Sequence, residues 1–222
     1  MPKDRLLFAK EGRACYISHL DLMRTFQRAF LRADIPIKHT EGFNPHPFIS
    51  IALPLSLGFS SRCEVLEFGL LEGTDHADVP QRLNAALPEG VRVLECYSGE
   101  RPMRELQWID YQLQIDYDGD VQGLRQAWGE LLSRESWVVE KPSKKAKSGV
   151  TTVDIPTFVK EFSFTDIPGQ GTTLHILLGA QNPGLNPSVM VKALTDAYPQ
   201  FVPEFVRYCR QEILDRDGKI FR

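Results

Sequence analysis

The chain has 222 residues, a length that suits one large or two small domains. With 42% hydrophobic and 25% charged residues it has an ordinary globular balance, which excludes a largely disordered polypeptide. A net charge of -3 excludes a protein that coats nucleic acid through bulk positive charge, so any such affinity must come from a local patch.

Arg5 to Lys10 reads as a first strand feeding a helix that the sequence marks clearly. Ser18 stands where an N-cap belongs, and Asp21, three positions on, is expected to reach back to the cap amide. At about 100° per residue, Leu22, Met23, Phe26, Ala29, Phe30 and Ala33 share an apolar arc suited to lying on a sheet. The opposite arc carries Arg24, Arg28 and Arg32 at i, i+4, i+8 spacing. Like charges so placed repel by a few tenths of a kcal/mol per pair and favour an anionic partner, although a solvated face partly neutralised by Asp21 fits the same pattern. Ser18 and His19 open the helix, where unpaired amides and the macrodipole make a second place for an anion.

Gly42-Phe43-Asn44-Pro45-His46-Pro47 has neither helical nor strand period, and its Gly, Asn and Pro specify a fixed turn. Asn44 and His46 are candidate ligand groups because Lys38 and His39 lie close by in sequence. Phe48 to Pro54 and Cys63 to Leu71 are expected to pair as a hairpin, Asp78 to Leu87 to form a short helix, and Val91 to Tyr97 to close the sheet. That order, β-α-β-β-α-β, is the split β-α-β arrangement of ferredoxin-like domains.

Gly99 to Arg104 marks a boundary, giving a first domain over 1–100 and a second over 105–222 that repeats the plan. Trp108 to Tyr117 reads as a strand, Asp120 as the cap of a helix carrying Leu124, Trp128, Leu131 and Leu132, and Trp137 to Glu140 as the partner of Val150 to Phe158. Thr173 to Leu178, a helix opened by Asn186-Pro187, and Val206 to Leu214 complete the unit. The expected architecture is α+β, two tandem ferredoxin-like domains. Lys144, Lys145 and Lys147 at the tip of the second hairpin form another basic group, read either as a solubilising turn or as phosphate contacts. Tyr111, Trp108 or Phe43 are the candidates for stacking on unpaired bases.

No run approaches the ~18 apolar residues of a membrane span, and Met1 to Arg5 lacks a signal peptide's apolar stretch, so a cytoplasmic protein with no membrane contact is expected. Cys15, Cys63, Cys96 and Cys209 are scattered without a close pair, which leaves no zinc or iron–sulfur motif and no expected metal or cofactor.

Tyr16-Ile-Ser-His-Leu-Asp-Leu-Met-Arg24 with Phe26, Arg28 and Ala29, then Gly42-Phe-Asn-Pro-His-Pro47 with Ser50 and Pro54, resembles the radical-SAM-linked protein family of bacteria. Val153-Asp154-Ile155 matches a weaker family feature, and the similarity runs over nearly the whole chain. The resemblance implies a partner, a cobalamin-binding radical SAM protein to which such domains are fused or beside which they are encoded, often near ribosomal-protein and ribonuclease genes. That setting implies RNA or ribosome maturation. The chain lacks the three-cysteine cluster of a radical SAM centre, so it is expected to be the accessory subunit that binds or presents RNA. Two alternatives stand beside this expectation. One is a metal-independent ribonuclease or transferase using His19 and His46 as acid and base; the other is a docking module whose arginine row faces an acidic patch on the radical SAM partner.

Overall fold

A computed structural model of the protein describes residues 3–71, 73–142, 148–167, 171–181 and 184–222. It is a mixed α+β structure whose strand pairings are mostly antiparallel. The chain divides into two compact units: residues 1–105 with Cys209–Ile213 and Lys219–Arg222, and Leu106–Tyr208 with Leu214–Gly218.

In the first unit, β1 (Lys3–Lys10) is followed by α1 (His19–Arg32), β2 (Ile49–Ile51), β3 (Ser60–Phe68), α2 (Val79–Asn84) and β4 (Val91–Gly99). The central strand β1 pairs antiparallel with both β3 and β4, and β2 adds to β3. All six residues of the α1 apolar arc either lie in the core or pack against it, on the sheet face that presents Leu6, Phe8, Leu66 and Phe68, where Val79 and Leu83 of α2 also sit. Phe8 meets Phe26 edge to face at 4.8 Å, a geometry that suits the quadrupoles of two rings. The chain's penultimate residue, Phe221, is fully buried, with the guanidinium groups of Arg5 at 5.3 Å and Arg101 at 4.9 Å from its ring centre.

The cap of α1 forms differently from the sequence expectation. Ser18 Oγ accepts from the Asp21 amide at 3.2 Å, but the Asp21 carboxylate accepts from the Ser18 hydroxyl at 2.7 Å and not from the cap amide. An aspartate is one methylene shorter than the glutamate of a capping box, and the nearer hydroxyl captures it.

The second unit contains β5 (Leu106–Asp116), α3 (Val121–Leu132), β6 (Val138–Pro142), β7 (Val150–Asp154), β8 (Val159–Ile167), β9 (Gly171–Gly179), α4 (Pro187–Ala197) and part of β10 (Phe205–Asp215). Asp120 and Asn186 cap α3 and α4 with their side chains, as their positions in the sequence indicate. β9 pairs with both β5 and β8. The expected strand from Val150 to Phe158 is two things instead. β7 ends at Asp154 and belongs with β6 to a separate two-stranded ribbon, while Ile155–Phe158 is a 3-10 turn opened by Pro156. The strand that enters the main sheet is β8, nine residues further along. Among the described residues no helix is long and apolar enough to cross a membrane.

Candidate functional site

The first unit places the sequence candidates at two ends of its sheet. At one end Lys10, almost wholly buried at the end of β1, donates to the carbonyls of Cys15 at 3.2 Å and Ile17 at 2.8 Å, fixing the segment that leads into Ser18. Burial lowers the Lys10 pKa, an effect that nearby Glu64 opposes. Glu64, itself buried, accepts from Arg210 Nη1 at 2.7 Å, and Arg210 also donates to the Leu53 carbonyl. Ser18 and His19 therefore sit on a rigid base beside the end of β1.

At the other end, Asp4 near the start of β1 accepts from the Leu70 amide, and Lys38 donates its amide to the Gly69 carbonyl. This anchors the 38–47 segment. β1 runs for eight residues, so its ends are roughly 23 Å apart at ~3.3 Å per step. His19 and His46 belong to opposite ends, and the structure does not bring them together as an acid–base pair; the His46 ring contacts Thr40 and the Asn44 carbonyl instead. The loop's own hydrogen bonding holds the ring by its Nδ1 edge.

The arginine row is exposed, but its members differ. Arg24 pairs with Asp21 at 3.1 Å, where the Ser18 hydroxyl and then Arg24 hold the Asp21 carboxyl below the usual carboxylate range. Arg32 donates to the Ala86 carbonyl at 2.6 Å. Arg28 has no ion pair among the described residues, and the same holds for exposed Lys38. Only the middle guanidinium is thus available to a ligand in full.

Loop 40–47 is short and pinned. His39 bridges Pro47, the Thr40 amide donates to the His46 carbonyl at 2.8 Å, and the His46 amide and Nδ1 both engage Thr40 Oγ1, at 3.2 and 3.0 Å. Gly42 sits at φ +126°, a backbone state that side chains with a Cβ rarely adopt. The tip presents Phe43 fully exposed, with Asn44 and His46 exposed beside it. The other two stacking candidates are already occupied: Tyr111 is buried and Trp108 lies under the Lys160 ammonium at 5.4 Å. Lys144, Lys145 and Lys147 lie outside the described residues.

A groove of about 570 Å³ opens at the base of this loop, between α1 and the segment that follows it. Phe30, Ile35 and Ile37 are its buried floor, Leu31 and Leu71 are exposed walls, and Arg28, Asp34 and His39 are among its polar groups. Sequence reasoning passed over Leu31, Asp34 and Leu71. The signal was Leu31, an apolar residue next to Arg32 that the helix leaves 81% exposed. Also unread was Arg82 of α2, which donates to the Ala33 and Asp34 carbonyls and closes the C-terminus of α1 from a different element.

The four cysteines are free, and burial pushes the thiols of Cys63 and Cys96 up to about 12, so neither is a thiolate nucleophile at neutral pH. Among the described residues no group of three His, Cys, Asp or Glu side chains could hold a metal ion.

Residues 3–187 match a family described as "Uncharacterized protein conserved in bacteria (DUF2344)", and the chain belongs to this family. Comparison with curated proteins gives no match. Among solved structures, the chain is similar to one in the crystal structure of a Cbf5-Nop10-Gar1 complex, at 8% identity and a TM-score of 0.52, over 95% of this chain and 48% of that one. It thus spans about half the length of that chain. Two further similarities are to the small subunit of acetolactate synthase from Thermotoga maritima (11% identity, TM-score 0.29, 97% of this chain and 98% of that) and to an unknown protein from Galdieria sulphuraria (14%, 0.28, 93% and 95%). Identities this low concern the fold alone, and only the first similarity is close enough to inform it.

Proposed function

We propose that the protein is a non-catalytic, cytoplasmic accessory subunit, built from two tandem ferredoxin-like units, that binds a single-stranded segment of RNA at the 38–47 loop of its first unit. The observation that carries this reading is Phe43, a fully exposed aromatic ring on a loop pinned at both ends, with Lys38 where the loop begins and Arg28 on the groove at its foot, neither in an ion pair among the described residues. An exposed ring costs solvation unless something covers it, and an unpaired base offers a flat face that stacks regardless of sequence, at about 1–3 kcal/mol per base. Lys38 and Arg28 meet the phosphates, which supply affinity without reading sequence. This confines the contact to one patch, in keeping with a net charge of -3.

The partner follows from the family resemblance alone: a cobalamin-binding radical SAM protein would supply the cluster chemistry for which this chain has no cysteine motif, acting on the RNA presented to it. Retention of a fluorescent single-stranded RNA by the full chain tests the reading. Phe43→Ala and Arg28→Glu should each weaken it at least about fivefold, and the salt slope should fall by about 0.7 with Arg28→Glu. Binding that ignores salt and both substitutions contradicts the proposal. So does capture of the radical SAM partner through Arg28 with no RNA bound, the outcome that a protein-docking surface gives.

A further inference from the structure

We infer that the groove at the foot of the loop is a nucleobase pocket whose preferred occupant is an unpaired guanine. The inference rests on the RNA reading and specifies the substrate of the same site. The groove, at about 570 Å³, falls in the range of small-ligand clefts, ~300–1,000 Å³. Its floor and walls are largely apolar, and Pro36 and Pro47 add saturated rings whose C–H groups can pack against a planar heterocycle.

Its polar lining residues are Gln27, Arg28, Asp34 and His39, of which Arg28 and Asp34 carry the charges a nucleotide can use. Arg28 is an unpaired cation on α1, available to the nucleotide's phosphate, while the Asp34 carboxylate has no hydrogen-bond partner among the described residues. A carboxylate accepts two N–H groups best when they sit side by side. Guanine alone offers such a pair, its ring N–H next to its exocyclic amine. Adenine and cytosine set their amine beside an acceptor nitrogen, and uracil flanks its ring N–H with two carbonyls, so each brings a repulsive atom to the carboxylate.

The backbone at Asp34 points the same way. Asp34 is at φ 53°, and it is the one residue other than glycine with positive φ among the described residues. It ends α1 with the Asp34 amide on Leu31 O and the Ile35 amide on Phe30 O, at 3.1 and 3.0 Å, a closure that glycine fills with least strain. An aspartate here gives up stability and places a carboxylate on a fixed helix end at the groove.

Titration of the isotope-labelled full chain with GMP, AMP, CMP and UMP, followed by amide NMR, tests this. GMP should shift resonances across residues 27–39 and 71 and bind about tenfold more tightly than the others. Asp34→Gly should remove that preference while raising the unfolding temperature, and Asp34→Asn, which tolerates the same backbone, should also remove it. Equal binding of all four nucleotides, binding indifferent to Asp34, or no binding overturns the guanine pocket, even where Phe43-dependent RNA retention persists. Loss of RNA retention as well overturns the RNA reading with it.

Discussion

Lys10→Met probes how the first unit holds its N-terminal helix. Lys10 is 1% exposed, and its ammonium donates to two carbonyls, at 3.2 and 2.8 Å, in the turn that precedes the Ser18 cap. A hydrogen bond to a charged group contributes ~1.5–3 kcal/mol, and a carbonyl left buried without a donor costs a further ~1–3 kcal/mol. Methionine fills a similar volume and relieves the burial of a charge, which offsets part of the loss. A net destabilisation of about 3 kcal/mol results. With a urea dependence of ~2 kcal/mol per M, the unfolding midpoint should fall by about 1.5 M with the slope unchanged. Amides from Ile17 to Leu22 should also lose more exchange protection than those of β1. A midpoint shift below about 0.3 M, or exchange that rises uniformly, refutes the view that Lys10 anchors this turn.

Other perturbations read other parts of the account. Ser18→Ala removes the acceptor for the Asp21 amide and should cost about 1 kcal/mol in thermal or denaturant unfolding; it should also raise the Asp21 pKa, read by carboxyl NMR, because the hydroxyl is its first stabiliser. Gly42→Val forces a side chain onto φ +126°, and should disorder the loop by NMR and abolish the Phe43 contribution to RNA retention while leaving the unfolding temperature nearly unchanged. Cys63 and Cys96 ionise near 9 when unfolded but only at about 12 when folded, so the folded state holds more protons between these values and stability must fall as pH rises. The two thiols together should cost about 2–3 kcal/mol by pH 10. The Cys63→Ala/Cys96→Ala variant should lose that dependence, and comparing it with the wild type cancels Lys10, whose lowered pKa acts in the opposite sense below 10.5.

The elements legible in the sequence were those whose own residues repeat a period. The α1 arc and the caps Ser18, Asp120 and Asn186 are local signals, satisfied within three residues, and they survive folding almost unchanged. The expected pairing of Trp137 to Glu140 with the segment from Val150 holds as β6 and β7, but Pro156 ends that strand, and the equally plain alternation of Phe162, Ser163, Phe164 and Thr165 in β8 was passed over. Lys10, Glu64 and Arg210 were not legible as a buried group, since charged residues read as surface and the ion pair joins positions 146 apart. The loop's chemistry was half legible. Its glycine and prolines announced a fixed turn, whereas the release of Phe43 and the capture of His46 by Thr40 depend on how that turn closes.

Ultraviolet crosslinking of the full chain to single-stranded RNA, followed by mass spectrometry of the adducted peptides, tests the central claim most directly. Adducts concentrated on Phe43 and its neighbours between Lys38 and Pro47 are the predicted result. Crosslinks confined to other surfaces, or none above background at low salt, would contradict it.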